Sequence, residues 1–286
     1  MAAFDPGLYI AFGAGYVAGR LIRWRSPWIG RATLGTIFVL VLVLGDLLAP
    51  APSGELLLTV PFALGLAGLT LLLTAGLAWT ARGPRFPRSR DHPALPLLGL
   101  LFLGALLLGY AFGRIDPAPL NPLLTPALYL LLVLVAFDLK LTRAGLKRLA
   151  VPVTAAVVGA GLAALLFSAV AGTGLRLSLA SSFAFGWYSL AGPLVATRLG
   201  AAAGLLAFLT NFFRENLTMV LAPTVGPRAG PEVLTAMGGA TAMDTTLYFI
   251  TTYADREAGS LALGSGLVLT VLASLLLPFL LSVPLP

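Results

Sequence analysis

Apolar positions along this chain do not alternate with polar ones; they run together in long unbroken stretches. Leu97 to Leu108, Leu123 to Phe137 and Leu261 to Leu281 contain no charged residue. Runs of this kind help to span a hydrocarbon core of about 30 Å. Backbone amides in lipid must find their partners within the segment, and the period of two expected of barrel strands is missing, so the runs predict helices. The expected fold class is all-α, a polytopic integral membrane protein. Six helices are predicted first: Tyr9–Leu21, Thr33–Ala49, Leu56–Thr80, Leu95–Gly113, Leu123–Leu139 and Val151–Ala171.

Beyond Ala171 the pattern changes, because apolar segments now carry Gly, Ser, Thr and charge in their middles. Ser178–Leu199 includes Gly192-Pro193, and proline lacks the donor that would continue a helix. This predicts a broken or re-entrant segment. Leu234–Tyr253 includes Gly238-Gly239, where paired glycines free the backbone close to Asp244, and predicts a second break. Ala201–Leu221 and Gly259–Leu281 are expected as full spans. If both broken segments are re-entrant, the chain has eight transmembrane helices and the two hairpins enter from opposite faces; if both cross, it has ten. Residues 1–286 then form a single transmembrane transporter domain, with repeat-like units over 7–93 and 94–171 and a motif-bearing core over 172–286.

Composition agrees with a membrane solvent. Hydrophobic residues make up 58% of the chain and charged residues 10%, against roughly 25% charged in soluble domains. The net charge of +7 would suggest nucleic acid in a soluble protein, but its distribution argues otherwise. Basic residues gather in three short loops: Arg20, Arg23, Arg25 and Arg31; Arg82, Arg85, Arg88 and Arg90; and Lys140, Arg143, Lys147 and Arg148. The positive-inside rule places all three in the cytoplasm, which puts both termini outside. The intervening loops carry Glu55 and Asp116. His92, beside Asp91 in a basic loop, reads as a solvated residue. The first span has Asp5 before it and arginines after it, the reverse of a secretory signal, and is expected to be retained. Cysteine is absent, which excludes disulfides and thiolate metal sites.

An internal repeat adds to the transporter reading. Gly15-Tyr16-Val17-Ala18-Gly19-Arg20 resembles Gly109-Tyr110-Ala111-Phe112-Gly113-Arg114, and Asp46 is matched by Asp138 at a similar offset. Three helices separate the copies, so the second would be inverted, as in many secondary transporters. Chance similarity in a chain rich in Gly, Leu and Arg is the competing explanation.

Ionisable groups inside a span cost roughly 2.5 to 3.5 kcal/mol even on a lenient scale, so several of them need a reason. Arg214 and Glu215 lie inside the Ala201–Leu221 span and Asp244 lies in the second broken segment. Asp138 reads as an interfacial partner of Lys140, and Asp46 as either a cap or a working group. Adjacent helical residues point about 100° apart, so Arg214 and Glu215 do not neutralise each other directly. Asn211, Glu215 and Thr218 form one polar stripe, and Thr241, Asp244, Thr245 and Tyr248 form another, at helical spacing. Two such stripes would line a cavity. A buried Arg214–Asp244 ion pair is the structural alternative.

The runs Phe185-Gly186-Trp187-Tyr188-Ser189-Leu190-Ala191-Gly192, Asn211-Phe212-Phe213-Arg214-Glu215 and Gly239-Ala240-Thr241-Ala242-Met243-Asp244 resemble the LysO-type bacterial lysine exporter family. Ala242 stands where that resemblance implies serine. The resemblance implies export of L-lysine or a similar basic amino acid across the inner membrane in exchange for protons. No cofactor or metal is implied, and the proton gradient supplies the coupling energy. The expected substrate and coupling residues are Asp46, Trp187, Tyr188, Ser189, Asn211, Arg214, Glu215, Thr241, Asp244 and Thr245. Expected partners are L-lysine, protons and the lipid bilayer, with a homodimer as an option and no nucleic acid. Two other classes stay open. An inorganic cation/proton antiporter would share the broken helices, whereas an intramembrane enzyme has no His-Glu-x-x-His, paired-aspartate or cysteine motif to carry it.

Overall fold

The computed structural model describes residues 6–22, 27–49, 53–81, 96–115, 120–138, 147–255 and 258–283. Most of the arginine loops, with His92 and Asp116, and the side chains of Glu55 and Asp138, lie outside the described residues. The described residues are helical and contain no strand, in agreement with the all-α expectation. The helices are α1 (Pro6–Ile22), α2 (Pro27–Leu48), α3 (Ser53–Ala81), α4 (Pro96–Ile115), α5 (Leu124–Asp138), α6 (Ala150–Ala171), α7 (Leu175–Ser182), α8 (Tyr188–Leu199), α9 (Ala201–Ala229), α10 (Pro231–Gly238), α11 (Leu247–Tyr253) and α12 (Gly259–Ser282). Among the described residues, Leu56–Ala81, Ala150–Ala171 and Gly259–Ser282 are long and apolar enough to cross a membrane. Trp28–Val43 and Gly104–Ile115 are shorter apolar helices.

The chain divides into two compact units. The first comprises 1–52 and 95–140. Here α1 packs on α5 and α2 on α4, and the contacts are made by the repeated glycines. A Cβ on Gly15 would strike the backbone of Val133, and one on Gly19 that of Phe137. Likewise Gly109 lies against Leu42 and Gly113 against Asp46 and Ala49. Both motifs are Gly-x-x-x-Gly, which lets helix backbones approach closely where no hydrophobic driving force is available. In each pair the contact numbers rise together, so the paired helices run parallel. Asp46 is fully buried. Its Oδ2 accepts the backbone N–H of Leu120 (3.0 Å), while its Oδ1 has no hydrogen-bond partner.

The second unit comprises 53–94 and 141–286. Helix α6 shows how a membrane solvent inverts the usual packing logic. It buries Ala155, Ala156, Gly159, Ala160, Ala163 and Ala164 and exposes Val158, Leu162, Leu165, Leu166 and Val170. Small residues face the protein, where dispersion contacts hold helices together, and large apolar ones face outward, where lipid tails solvate them as well as a core would. Helix α3 runs antiparallel to α6, with Thr74 against Gly159 and Phe167 against Gly65.

Both expected breaks are present, and the first lies elsewhere than Pro193 suggested. Pro193 is accommodated inside α8, and the chain breaks between α7 and α8, where Phe185 (φ 53°) and Gly186 (φ 100°) adopt left-handed backbone. The second break falls at the paired glycines: α10 ends at Gly238, Gly239 has φ 66°, and a 3-10 turn over Gly239–Met243 leads to α11. That turn interrupts the helix on which Thr241, Asp244, Thr245 and Tyr248 would share a face, so the second predicted stripe is not continuous. Helix α9 is also longer than the Ala201–Leu221 span expected from hydropathy, because Pro223 and Pro227 are carried within it.

The broken segments approach from opposite ends of α9. Helix α8 folds back antiparallel on the start of α9, with Gly204 against Ala196 and Gly192 against Phe208. Helix α10 begins directly after α9 ends, and α11 returns to the same end, where Tyr253 lies against Gly226.

Candidate functional site

The two breaks meet. The carbonyl of Phe185 accepts the N–H of Ala240 (2.8 Å), and Gly186 lies against Thr241. An interrupted helix exposes N–H and C=O groups that cost about 1–3 kcal/mol each if buried without a partner. The structure satisfies several of them with side chains from α9.

Asn211 serves the first break. Its Oδ1 accepts the N–H of Gly186 (2.8 Å), and its Nδ2 donates to the carbonyls of Ser181 and Ala207 (2.8 Å each). Arg214, one turn along the same helix, serves the second. Its Nε donates to the Met237 carbonyl (3.2 Å) and its Nη2 to the Ala236 carbonyl (3.1 Å), at the C-terminal end of α10. A helix C-terminus is the favourable place for a cation. The guanidinium also sits 6.0 Å from the centroid of the Phe185 ring. Among the described residues no ion pair joins Arg214 to Asp244, so the backbone carbonyls replace that structural alternative. Nη1 of Arg214 is buried and has no hydrogen-bond partner.

Glu215, on the neighbouring face of α9, is 3% exposed and its Oε2 has no partner. Thr245 lies within hydrogen-bonding reach of both Glu215 and Asp244. Its hydroxyl has one proton to give, so it serves one carboxylate at a time. Tyr188 lies within electrostatic reach of both carboxylates and packs edge-to-face on Phe208 and Phe212. Thr241 donates to the Gly238 carbonyl (2.9 Å) and Thr218 to that of Arg214 (2.8 Å).

The expected residues therefore fall into groups. Arg214, Glu215, Asp244, Thr245 and Tyr188 converge at the meeting of the breaks. Asn211 and Thr241 are also there, but the Asn211 side chain bonds only to backbone, and the Thr241 hydroxyl is shared between the Gly238 carbonyl and the Thr246 hydroxyl (3.5 Å). Trp187 precedes α8 and packs half-buried against the apolar core, and Ser189 is exposed. Asp46 belongs to the other compact unit. Sequence reasoning missed Glu232, which is 2% exposed in the first turn of α10 and forms an ion pair with Arg148. The signal was Gly230-Pro231-Glu232, a helix start with an acid in its first turn.

The Asn211 contacts give a measurable expectation. Asn211→Leu removes the side-chain partner of the Gly186 N–H and of the Ser181 carbonyl in a buried setting, while the Ala207 carbonyl keeps its helical backbone bond, a loss of about 2–6 kcal/mol at about 1–3 kcal/mol for each of the two groups. The purified variant should melt at clearly lower temperature than wild type, and an unchanged melting temperature would remove Asn211 from this role.

A family model described as Lysine exporter LysO matches residues 100–281. The chain is 27% identical over 232 residues to Lysine exporter LysO of Escherichia coli (strain K12), covering 76% of this chain and 77% of that protein. It is 28% identical over 195 residues to a protein of Haemophilus influenzae (strain ATCC 51907 / DSM 11121 / KW20 / Rd) named "Putative lysine exporter", covering 64% of this chain and 97% of that protein. No solved structure matches the chain.

Proposed function

Because the chain belongs to the lysine exporter LysO family, an integral membrane transporter family, we propose that it exports L-lysine or a related basic amino acid from the cytoplasm by exchange for protons. The observation that carries this reading is the composition of the buried site. Lysine brings two ammonium groups and one carboxylate. The meeting of the breaks offers two carboxylates, Glu215 and Asp244, and one guanidinium, Arg214, with a buried donor unspent. Charge-assisted hydrogen bonds of this kind are about twice as strong as neutral ones. Glu215 or Asp244 receives each ammonium, and Nη1 of Arg214 receives the carboxylate. Glu215, with a buried oxygen lacking a partner, is the preferred carrier of the coupling proton in this unit. Asp46, whose Oδ1 also lacks a partner, is the second candidate.

In this reading the protein sits in the inner membrane with both termini outside. The hairpins α7–α8 and α10–α11 are re-entrant from opposite faces, a reading supported by the return of each to the end of α9 from which it set out. That favours eight full spans over ten. The parallel α1–α5 and α4–α2 pairs, each closed by the same glycine motif, support an inverted repeat in the first unit. Tags at the N-terminus and C-terminus should both be accessible from the periplasmic face, and a cytoplasmic C-terminus would refute the arrangement.

The function is tested by counterflow. Proteoliposomes preloaded with unlabelled L-lysine should accumulate labelled L-lysine. Exchange of inorganic cations for protons without lysine counterflow would instead select the cation/proton antiporter.

A further inference from the structure

A second ionic cluster lies outside the site just described, at the end of the second unit where α6 begins and α10 begins. Glu232 is 2% exposed and pairs with Arg148, whose side chain is 24% exposed. Asp255, which follows α11, is within electrostatic reach of the same guanidinium. Two acids from the outer ends of one hairpin thus converge on a cation from another element. Thr235, fully buried with a hydroxyl that has no partner, lies three residues after Glu232 and on the same face of α10. The same helix ends at the carbonyls of Ala236 and Met237 that hold Arg214. Met237 lies five positions beyond Glu232, about 7.5 Å along a helix.

The members of this pair differ in what they can do. Glu232 is buried, and a buried carboxylate needs a cation beside it. Arg148 is partly exposed on a long side chain, so it is the member that can leave. When it leaves, the group best fitted to replace it is another ammonium or guanidinium of similar reach, the chemistry of a basic amino acid. We propose that Glu232 and Asp255 form an outlying cation subsite for the side chain of a basic amino acid, with Arg148 as a resident occupant that the substrate displaces. The subsite rests on the export reading for its ligand. By the positive-inside expectation for Arg148 it faces the cytoplasm, where an exporter first meets its substrate. The hairpin whose outer ends it pins is also the one that carries Asp244.

The test uses the purified full-length protein and follows thermal stability with added L-lysine, with n-butylammonium chloride as a minimal cation and L-norleucine as an uncharged control. Arg148→Gln removes the occupant and leaves Glu232 without its cation, so the variant should melt below wild type. L-lysine and butylammonium should then restore stability with a shift about twofold larger than in wild type, because a ligand at free concentration c that binds only the folded state stabilises it by RT ln(1 + c/Kd), and Kd is lower where no resident cation has to be displaced. Norleucine should not. Adding Glu232→Gln to Arg148→Gln should abolish the extra shift. If Arg148→Gln is not restored beyond the wild-type shift, the pair is purely structural and the proposal fails. Should Arg148→Gln not fold, Asp255→Asn is read instead: it removes one acid of the subsite and leaves the Arg148–Glu232 pair in place, so the L-lysine and butylammonium shifts should fall below wild type, and shifts equal to wild type overturn the subsite. Wild-type counterflow of lysine is measured in parallel. Its absence sinks the export reading, while the butylammonium response of the Arg148 variants still decides the subsite.

Discussion

Glutamine in place of Glu215 is expected to abolish lysine efflux while leaving the protein folded. The substitution preserves volume and hydrogen-bonding capacity and removes only the charge and the titration. Its effect on stability depends on what Arg214 does. If Glu215 were the counter-ion of that buried guanidinium, removing its charge would cost about 3–5 kcal/mol and the variant would not accumulate. Arg214 instead donates to the carbonyls of Ala236 and Met237, and neither bond involves Glu215. Its burial is therefore compensated independently of the carboxylate. Folded yield and melting temperature should stay close to wild type, and efflux from cells preloaded with a lysine dipeptide should fall to the level of cells lacking the transporter. Full efflux would remove Glu215 from the mechanism, and a collapse in stability would return it to a structural role.

Gly239→Ala is expected to be the most damaging single change in the second unit. Gly239 has φ 66° and ψ −127°, a conformation open essentially to glycine alone, and forcing a side chain into it costs about 1–3 kcal/mol. The added Cβ would also collide with the carbonyl of Phe185 and press on Nη2 of Arg214. That carbonyl is the acceptor for Ala240, so relieving the collision breaks the bond between the two breaks. The combined loss should exceed about 4 kcal/mol, a range that is exceptional for a single substitution. Gly172→Ala is the control. Gly172 has a similar φ of 67° at the end of α6, but a Cβ there meets nothing within 4 Å, so it should cost only about 1–2 kcal/mol, the price of left-handed backbone. Melting temperatures of the two variants should differ widely, and equal effects would mean that the meeting of the breaks adds nothing to stability.

The sequence by itself determined the membrane-helical character of this protein, the approximate bounds of α1 to α6, the existence of two interruptions and the placing of Arg214 and Glu215 inside a span. These depend on quantities that can be read along the chain: the transfer cost of each side chain, the period of the backbone, and the conformational freedom of Gly238-Gly239. The Gly-x-x-x-Gly repeats were also legible, but their partners were not. What only the tertiary structure decided was which groups the interruptions leave exposed and what satisfies them. Pro193 is the strongest local breaker in its segment, yet the chain breaks at Phe185 and Gly186, because there Asn211 and Ala240 supply the missing partners. Helical spacing put Asn211 and Glu215 on one stripe, but Asn211 is engaged by three backbone groups and Glu215 keeps an oxygen without a partner. Arg214 was expected to need a counter-ion and found two carbonyls at the end of a helix 22 and 23 residues away. Glu232 gave only the signal of a helix start until Arg148, far away in sequence, was brought beside it. A side chain's burial cost is local, but the donor or acceptor that offsets it is chosen by how distant segments cross.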